Sequence, residues 1–341
     1  MQLKSLKVTT WNLEHCNRLI TDNPSEQIVD RRNRIWNTLE SIDPDVICLQ
    51  EGPKGSQAIQ DFCKQVFKGR YVPVLLPTDN DRDYQLLGSQ WIWFVVKSDL
   101  ADRCYLQDPD VWQTFTEEKS WKVHQWGEEI SNSHKHYRHP QVMVMNIDGE
   151  HEIEFIGVHL KSKINKKKIV WENGDLTGEY VNEALKARIK LATESANVRK
   201  YIHAKFEQLE HPGIVLLGDC NDPVGKDHFE KYYMFFDLIS NLQGEVLMSE
   251  RFFNHALFDY PNHLRWTCKY RDAIKKIPAS KNPLLIDHIL MSQPIVKGRL
   301  PLKAAANAGL VEHQSFERHN AGSNSKTRTS DHRPVSLVLT A

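Results

Sequence analysis

The stretch that most limits what this chain can become is GIVLLGDCND, residues 213–222. Ile214, Val215, Leu216 and Leu217 make a short, aliphatic and β-branched run that reads as a buried strand. Gly218, Asp219 and Asn221 then end it with a polarity that a core does not tolerate. A turn explains one such ending, because Gly, Asp and Asn supply left-handed and Asx-turn conformations. It does not explain the recurrence. LKVTTWN, DVICLQE, QWIWFVVK, QVMVMNI, EIEFIGVHL, LLIDHIL and VSLVLT also read as strands, and many of them end in a polar or charged residue.

Helical patterns lie between these runs. Ile28, Ile35, Trp36, Leu39 and Ile42 recur at helical spacing before Pro44; Ile59, Phe62, Cys63, Val66 and Phe67 share one face. Residues 181–208 carry Leu185, Ile189, Ala192, Ala196, Ile202 and Phe206 with few breakers and predict one long amphipathic helix. Alternating strands and helices give an α/β or α+β class. With no Gly/Ser-rich linker and no internal repeat, one domain over 1–341 is the simpler expectation. The stretches 98–140, 161–180, 240–284 and 302–330 look irregular, and loops of that length are expected to choose the substrate.

Lys plus Arg and Asp plus Glu are both 44, so no whole-molecule field draws the chain to nucleic acid or anionic lipid, and any basic site is local. The N-terminus has no apolar signal core and no run of eighteen apolar residues occurs, which predicts a soluble cytoplasmic protein with no membrane contact. The six cysteines are scattered without a zinc or disulfide pattern, and Cys220 is expected to be a small space-filler.

The strand-end residues are Asn12, Glu51, His159, Asp219, Asn221, Asp287 and His288, with Ser330, Asp331 and His332 leading into the last strand. If they converge on one edge, they gather carboxylates, carboxamides and imidazoles. Oxygen-rich ligands of this kind suit a hard cation, Mg²⁺ or Mn²⁺, which keeps several waters. A positioned water and donors that relieve charge on phosphate oxygens complete the requirements for metal-assisted phosphoester hydrolysis.

TWNLE, CLQE, HLKS, GDCND, IDHIL and SDHRPV occur here in the order seen in the endonuclease/exonuclease/phosphatase superfamily, and the chain resembles that family from residue 11 to 335. The resemblance implies an α/β, two-sheet sandwich flanked by helices, deoxyribonuclease-I-like, with the site at one end of the sheets. It implies that Glu51 is the principal Mg²⁺ ligand with Asn12 and Asp331 beside it. Asp219 would orient or deprotonate the attacking water, and Asn221 would hold a phosphate oxygen. His332 would contact the scissile phosphate or act as base, with Asp287 fixing its tautomer; Asp219 and His332 both remain open as the base. His159 would assist at the leaving oxygen or phosphate. Arg138 resembles the family's phosphate-contacting position. At one place the chain departs from its deoxyribonuclease-like members: a glutamate that pairs with the histidine corresponds here to Gln90, and an amide supports an imidazolium less well.

HLKSKINKKK places Lys161, Lys163, Lys166, Lys167 and Lys168 after His159, a basic lip suited to a polyanionic backbone, with Lys161 and Lys163 as substrate contacts. Trp112, Trp121, Trp126 and Trp171 fall in irregular regions, where they could stack bases or fill the core. Residues 254–272 mix aromatics with His255, His263, Arg265, Lys269 and Arg271 and are a candidate substrate wall. The expected protein is a Mg²⁺-dependent nuclease, most simply an endonuclease, acting on DNA or RNA. A phosphomonoesterase, a lipid phosphodiesterase, or a non-catalytic binding protein on the same fold are the alternatives.

Overall fold

The computed structural model describes residues 3–115, 120–125, 128–133, 136–234 and 236–341. In chain order its principal strands are β1 (Ser5–Asn12), β2 (Val46–Gly52), β3 (Tyr71–Pro73), β4 (Trp91–Lys97), β5 (Cys104–Leu106), β6 (Gln141–Asn146), β7 (Glu152–His159), β8 (Gly213–Asp219), β9 (Asn254–His255), β10 (Asp287–Met291), β11 (Lys303–Val311) and β12 (Val335–Thr340). They form two six-stranded mixed sheets, ordered β11-β12-β1-β2-β4-β3 and β9-β10-β8-β7-β6-β5. The helices are α1 (Glu26–Ile42), α2 (Ser56–Gln65), α3 (Gly178–Gln208), α4 (Leu238–Gln243), α5 (Gln293–Val296) and α6 (His313–Asn320). No helix among the described residues is long and apolar enough to cross a membrane.

The continuous apolar run of β8 is explained by burial on both faces. Val215 and Leu217 enter the core between the sheets with Phe155 and Ile289, while Ile214 and Leu216 pack beneath Leu191, Val198 and Ile202 of α3. Side chains alternate along a strand, so the inward row of β8 continues from Val215 and Leu217 to Asp219. The same alternation takes β7 from Phe155 through Gly157 to His159, and β10 back from Ile289 to Asp287. Gly157 is needed because a Cβ there would stand 2.8 Å from Cys48 Sγ on the facing sheet. Gly218 has φ 146, and its Cβ would meet the Val158 carbonyl oxygen at 2.0 Å, so the residue before Asp219 cannot carry a side chain.

Topology then brings the polar ends together. β1 and β2 are parallel and finish at one rim, where β12, antiparallel to β1, begins. β7 and β8 are parallel and finish with His159 opposite Asp219, while antiparallel β10 begins with Asp287 opposite Asp219.

Three features differ from the sequence expectation. Asp287 opens its strand instead of standing inside one. Residues 302–330 contain β11 and α6, and residues 98–140 contain β5 and a hairpin of Ser120–Gln125 with Glu128–Ser133. β11 was illegible because KAAANAGLV is an Ala-rich, largely exposed edge strand, with its register broken between Ala304 and Gly309.

Candidate active site

Two hydrogen bonds close the rim across the sheets. Asn12 Nδ2, at the end of β1, donates to Asp219 Oδ2 at 3.0 Å. His332 Nδ1, just before β12, meets Asp287 Oδ2 at 2.9 Å. Asp219, Asp287 and His332 are all buried, and their ligand-type atoms lie within 4.8 Å of one another. His159 Nε2 stands 3.7 Å from Asp219 Oδ2.

Burial, and then the neighbouring charge of Asp287, push the Asp219 carboxyl up to about 7. Burial acts the other way on His332, but the carboxylates of Asp287, Asp219 and Asp331 outweigh it and hold the imidazole up at about 10. His332 is therefore protonated on both nitrogens at neutral pH: Nδ1–H faces Asp287 and Nε2–H faces the Tyr270 hydroxyl at 3.1 Å. His159 is driven well below the usual histidine range by burial, assisted by the charges of Arg138 and His332, and stays neutral. Two imidazoles on one rim thus hold opposite protonation states.

Glu51 lies off the regular alternation of β2. It has φ 55, and the pairing of β2 with β4 shifts between Leu49 and Gly52, a bulge that re-aims the side chain. One carboxylate oxygen accepts the His15 backbone N–H at 2.8 Å. The Asn12 carboxamide oxygen accepts the Glu14 N–H at 3.0 Å and retains a second lone pair. Asp331 is half-buried, with Arg328 at 3.7 Å and His332 Nε2 at 4.0 Å. Oxygen donors of this type suit a hard divalent cation, but among the described residues the group whose ligand-type atoms come within 4.8 Å of one another is Asp219, Asp287 and His332, and it includes neither Glu51 nor Asp331. Buried Arg31 braces this part of the rim by donating through Nη2 to the carbonyls of Leu13, Glu14 and Thr329.

The remaining candidate residues divide. Asn221, in left-handed conformation with φ 53, donates from Nδ2 to the Leu160 carbonyl at 3.0 Å, and its N–H caps Asp219 Oδ1 at 2.8 Å. Arg138 is held by Gln90 through its carbonyl at 2.9 Å and its side chain at 2.7 Å, and its guanidinium feels the carboxylates of Glu51, Glu194 and Asp219. Gln90 thus positions Arg138, and its amide nitrogen reaches His15 Nδ1 at 3.3 Å. Lys161 borders buried Glu194, whose Oε2 accepts its backbone N–H at 2.7 Å; burial pushes that carboxyl up to about 7. Lys163 does not join the rim. Its ammonium is neutralised by Asp222, Asp227 and Glu230, and Asp227 also receives Arg188. Trp112 is fully buried against Tyr201, whereas Trp171 is 47% exposed. Trp121 lies in the hairpin, and Trp126 lies outside the described residues.

Sequence reasoning singled out neither Tyr270 nor a role for His288. Tyr270 sits in the aromatic and basic segment that was readable as a wall, but nothing in its spacing predicts contact with His332. His288 falls on the outer face of β10, turned from the rim. There its Nε2 donates to the Asp222 carbonyl at 2.8 Å, and its Nδ1 meets His255 Nε2 at 3.0 Å. His255 Nδ1 in turn accepts the Leu257 N–H at 3.0 Å. This chain of bonds fixes both imidazoles neutral and anchors the loop that carries Asn221.

The fold is the deoxyribonuclease-I-like α/β sandwich, two six-stranded mixed sheets flanked by helices. Among solved structures, truncated TDP2 from Caenorhabditis elegans superposes with a TM-score of 0.51 at 12% identity, over 99% of this chain and 98% of that one. TDP2 from D. rerio, complexed with a single-strand DNA product, gives 0.52 at 14% identity over 99% of each chain. An endonuclease/exonuclease/phosphatase from Beutenbergia cavernae gives 0.48 at 13% identity, over 99% of this chain and 72% of that one. No family model and no curated protein matches the sequence.

Proposed function

We propose that the protein is a Mg²⁺-dependent phosphodiesterase acting on nucleic acid, by in-line attack of water on phosphorus. The observation that carries this reading is the buried cluster of Asp219, Asp287 and His332 at the rim, whose ligand-type atoms lie within 4.8 Å of one another and in which His332 is paired with Asp287 at 2.9 Å. Glu51, Asn12 and Asp331 would hold the ion. When bound, the ion supplies neutralisation of a non-bridging phosphate oxygen.

The chain's own groups account for the rest. Asp219 is the base: Asn12 and the Asn221 N–H fix its two oxygens, leaving lone pairs for a water proton. His332 cannot be the base while Asp287 keeps it protonated, and its Nε2–H serves as a donor to a phosphate oxygen. His159, neutral and 3.7 Å from Asp219, offers Nε2 as a donor to the phosphate or leaving oxygen. Arg138, fixed by Gln90, adds a guanidinium to the same edge. Nucleic acid is preferred over a lipid or small phosphate ester because a solved neighbour of this fold carries a single-strand DNA product.

The test is a substrate panel run with Mg²⁺ and with EDTA: plasmid, single-stranded DNA, RNA, a phosphomonoester and a sphingomyelin vesicle. Mg²⁺-dependent cleavage of an oligonucleotide is expected. Turnover confined to the monoester or the lipid rejects the nucleic-acid reading.

A further inference from the structure

Residues 268–284 form a ribbon beside the rim: Cys268–Lys269 pairs with Pro283–Leu284, and Asp272 bridges Ile277. Its five cations, Lys269, Arg271, Lys275, Lys276 and Lys281, face a single acid, Asp272, in a chain whose net charge is zero. All five cations are exposed. Asp272 forms an ion pair with none of them among the described residues; its Oδ1 accepts the backbone N–H groups of Ile274 and Lys275 at 3.0 and 2.9 Å and shapes the turn. Among the described residues none of the five has a carboxylate within ion-pair distance; Lys269 lies over the Trp266 ring at 4.4 Å. The expected basic lip is different. There Lys163 is neutralised by three carboxylates and Lys167 by Glu179, so two of its five cations are paired, against none in the ribbon.

We propose that this ribbon is the track along which a single-stranded nucleic acid lays its phosphates on the way to the catalytic rim, with Tyr270 as the platform for the base next to the scissile phosphate. This rests on the phosphodiesterase reading for its direction, but the binding surface stands on its own charge and geometry. Tyr270 joins the two: its hydroxyl is 3.1 Å from His332 Nε2 while its ring is 41% exposed and free to stack. The track is held in place from beneath. Ile274 packs on the cluster of Tyr180, Val181, Leu185 and Phe229, Cys268 is buried, and Asn282 Nδ2 donates to the Tyr270 carbonyl at 2.8 Å. A group of exposed cations on one anchored ribbon beside an exposed aromatic residue binds a flexible polyanion by counterion release, with stacking that tolerates any base.

The experiment compares the full wild-type chain with Lys275→Glu/Lys276→Glu. It measures fluorescence anisotropy of a labelled single-stranded oligonucleotide in EDTA over a series of salt concentrations, with Tm as a control for folding. Both lysines lie away from the catalytic groups. The double variant is expected to bind more than about tenfold more weakly, with the slope of log K against log salt reduced by about 1.4, the contribution of two phosphate contacts on a single strand. Its Mg²⁺-dependent hydrolysis of bis(4-nitrophenyl) phosphate stays at the wild-type rate. Unchanged affinity and slope overturn the track, as does a loss of binding to phosphatidylserine vesicles with none to the oligonucleotide. Wild-type protein that binds the oligonucleotide through these lysines yet hydrolyses no diester keeps the track and rejects the phosphodiesterase reading.

Discussion

The Asp219→Asn variant is expected to hydrolyse a phosphodiester at least about a thousandfold more slowly than the wild type, the loss that follows removal of a positioned general base. The change is isosteric, and the amide oxygen keeps one of the two donors, Asn12 Nδ2 or the Asn221 N–H, while the NH2 loses the other; with it goes the capacity to take a proton from water. Wild-type kcat/KM rises with pH through about 7 as Asp219 ionises, and the variant has no such limb. Folding behaves in the opposite sense. An acid whose folded pKa is raised holds its proton more tightly when folded, so its ionisation removes stability as pH climbs from the unfolded value, about 3.9, through about 7. The neutral amide escapes that penalty. The hydrogen bond that the amide loses works against that gain, so the variant's Tm is expected to fall less at pH 8 than at pH 5, and a variant still folded at the assay temperature separates catalytic loss from unfolding. Activity within tenfold of the wild type would remove Asp219 from the base position.

The Glu51→Gln variant is expected to lose its response to Mg²⁺. Altering residues that only support a metal's ligands costs about 10–100-fold in affinity, so removing the charge of the proposed principal ligand is expected to weaken Mg²⁺ binding more than about a hundredfold. Calorimetric titration of Mg²⁺ and the metal dependence of kcat measure it. At millimolar Mg²⁺ the variant's turnover falls to the level of wild-type protein in EDTA. The substitution keeps an acceptor for the His15 N–H, so the bulge around Glu51 persists and Tm changes little. A variant with wild-type Mg²⁺ affinity places the ion elsewhere.

Much of this arrangement was readable before any coordinates, because it follows from periodicities. GIVLLGD announced a strand buried on both faces, and alternation alone carries Val215 and Leu217 forward to Asp219. The long helix was visible over residues 181–208 in its apolar spacing and few breakers, and the structure starts it three residues earlier, at Gly178. What could not be read depends on pairing between distant segments. Lys163 looks identical in sequence to an exposed phosphate contact; only the return of Asp222, Asp227 and Glu230 beneath it makes it part of an ion network. His288 adjoins Asp287, yet the two point to opposite faces, so one serves the rim and the other anchors the Asn221 loop from behind. Tyr270 reaches His332 across 62 residues of chain, a contact that no local pattern encodes. The unpaired charge of the 268–284 ribbon is likewise a property of what fails to approach it.

The central claim is that one divalent ion and one phosphate share the rim where Asn12, Glu51, Asp219 and His332 meet. The most direct measurement is an anomalous-scattering map of crystals grown with Mn²⁺ and a phosphorothioate oligonucleotide. The expected map has a manganese peak about 2.1 Å from a Glu51 carboxylate oxygen, taking the distance usual for a small octahedral divalent ion. Its sulfur peak lies within hydrogen-bond reach of His332 Nε2. A manganese peak away from Glu51, or a phosphorothioate bound at another face of the sandwich, contradicts it.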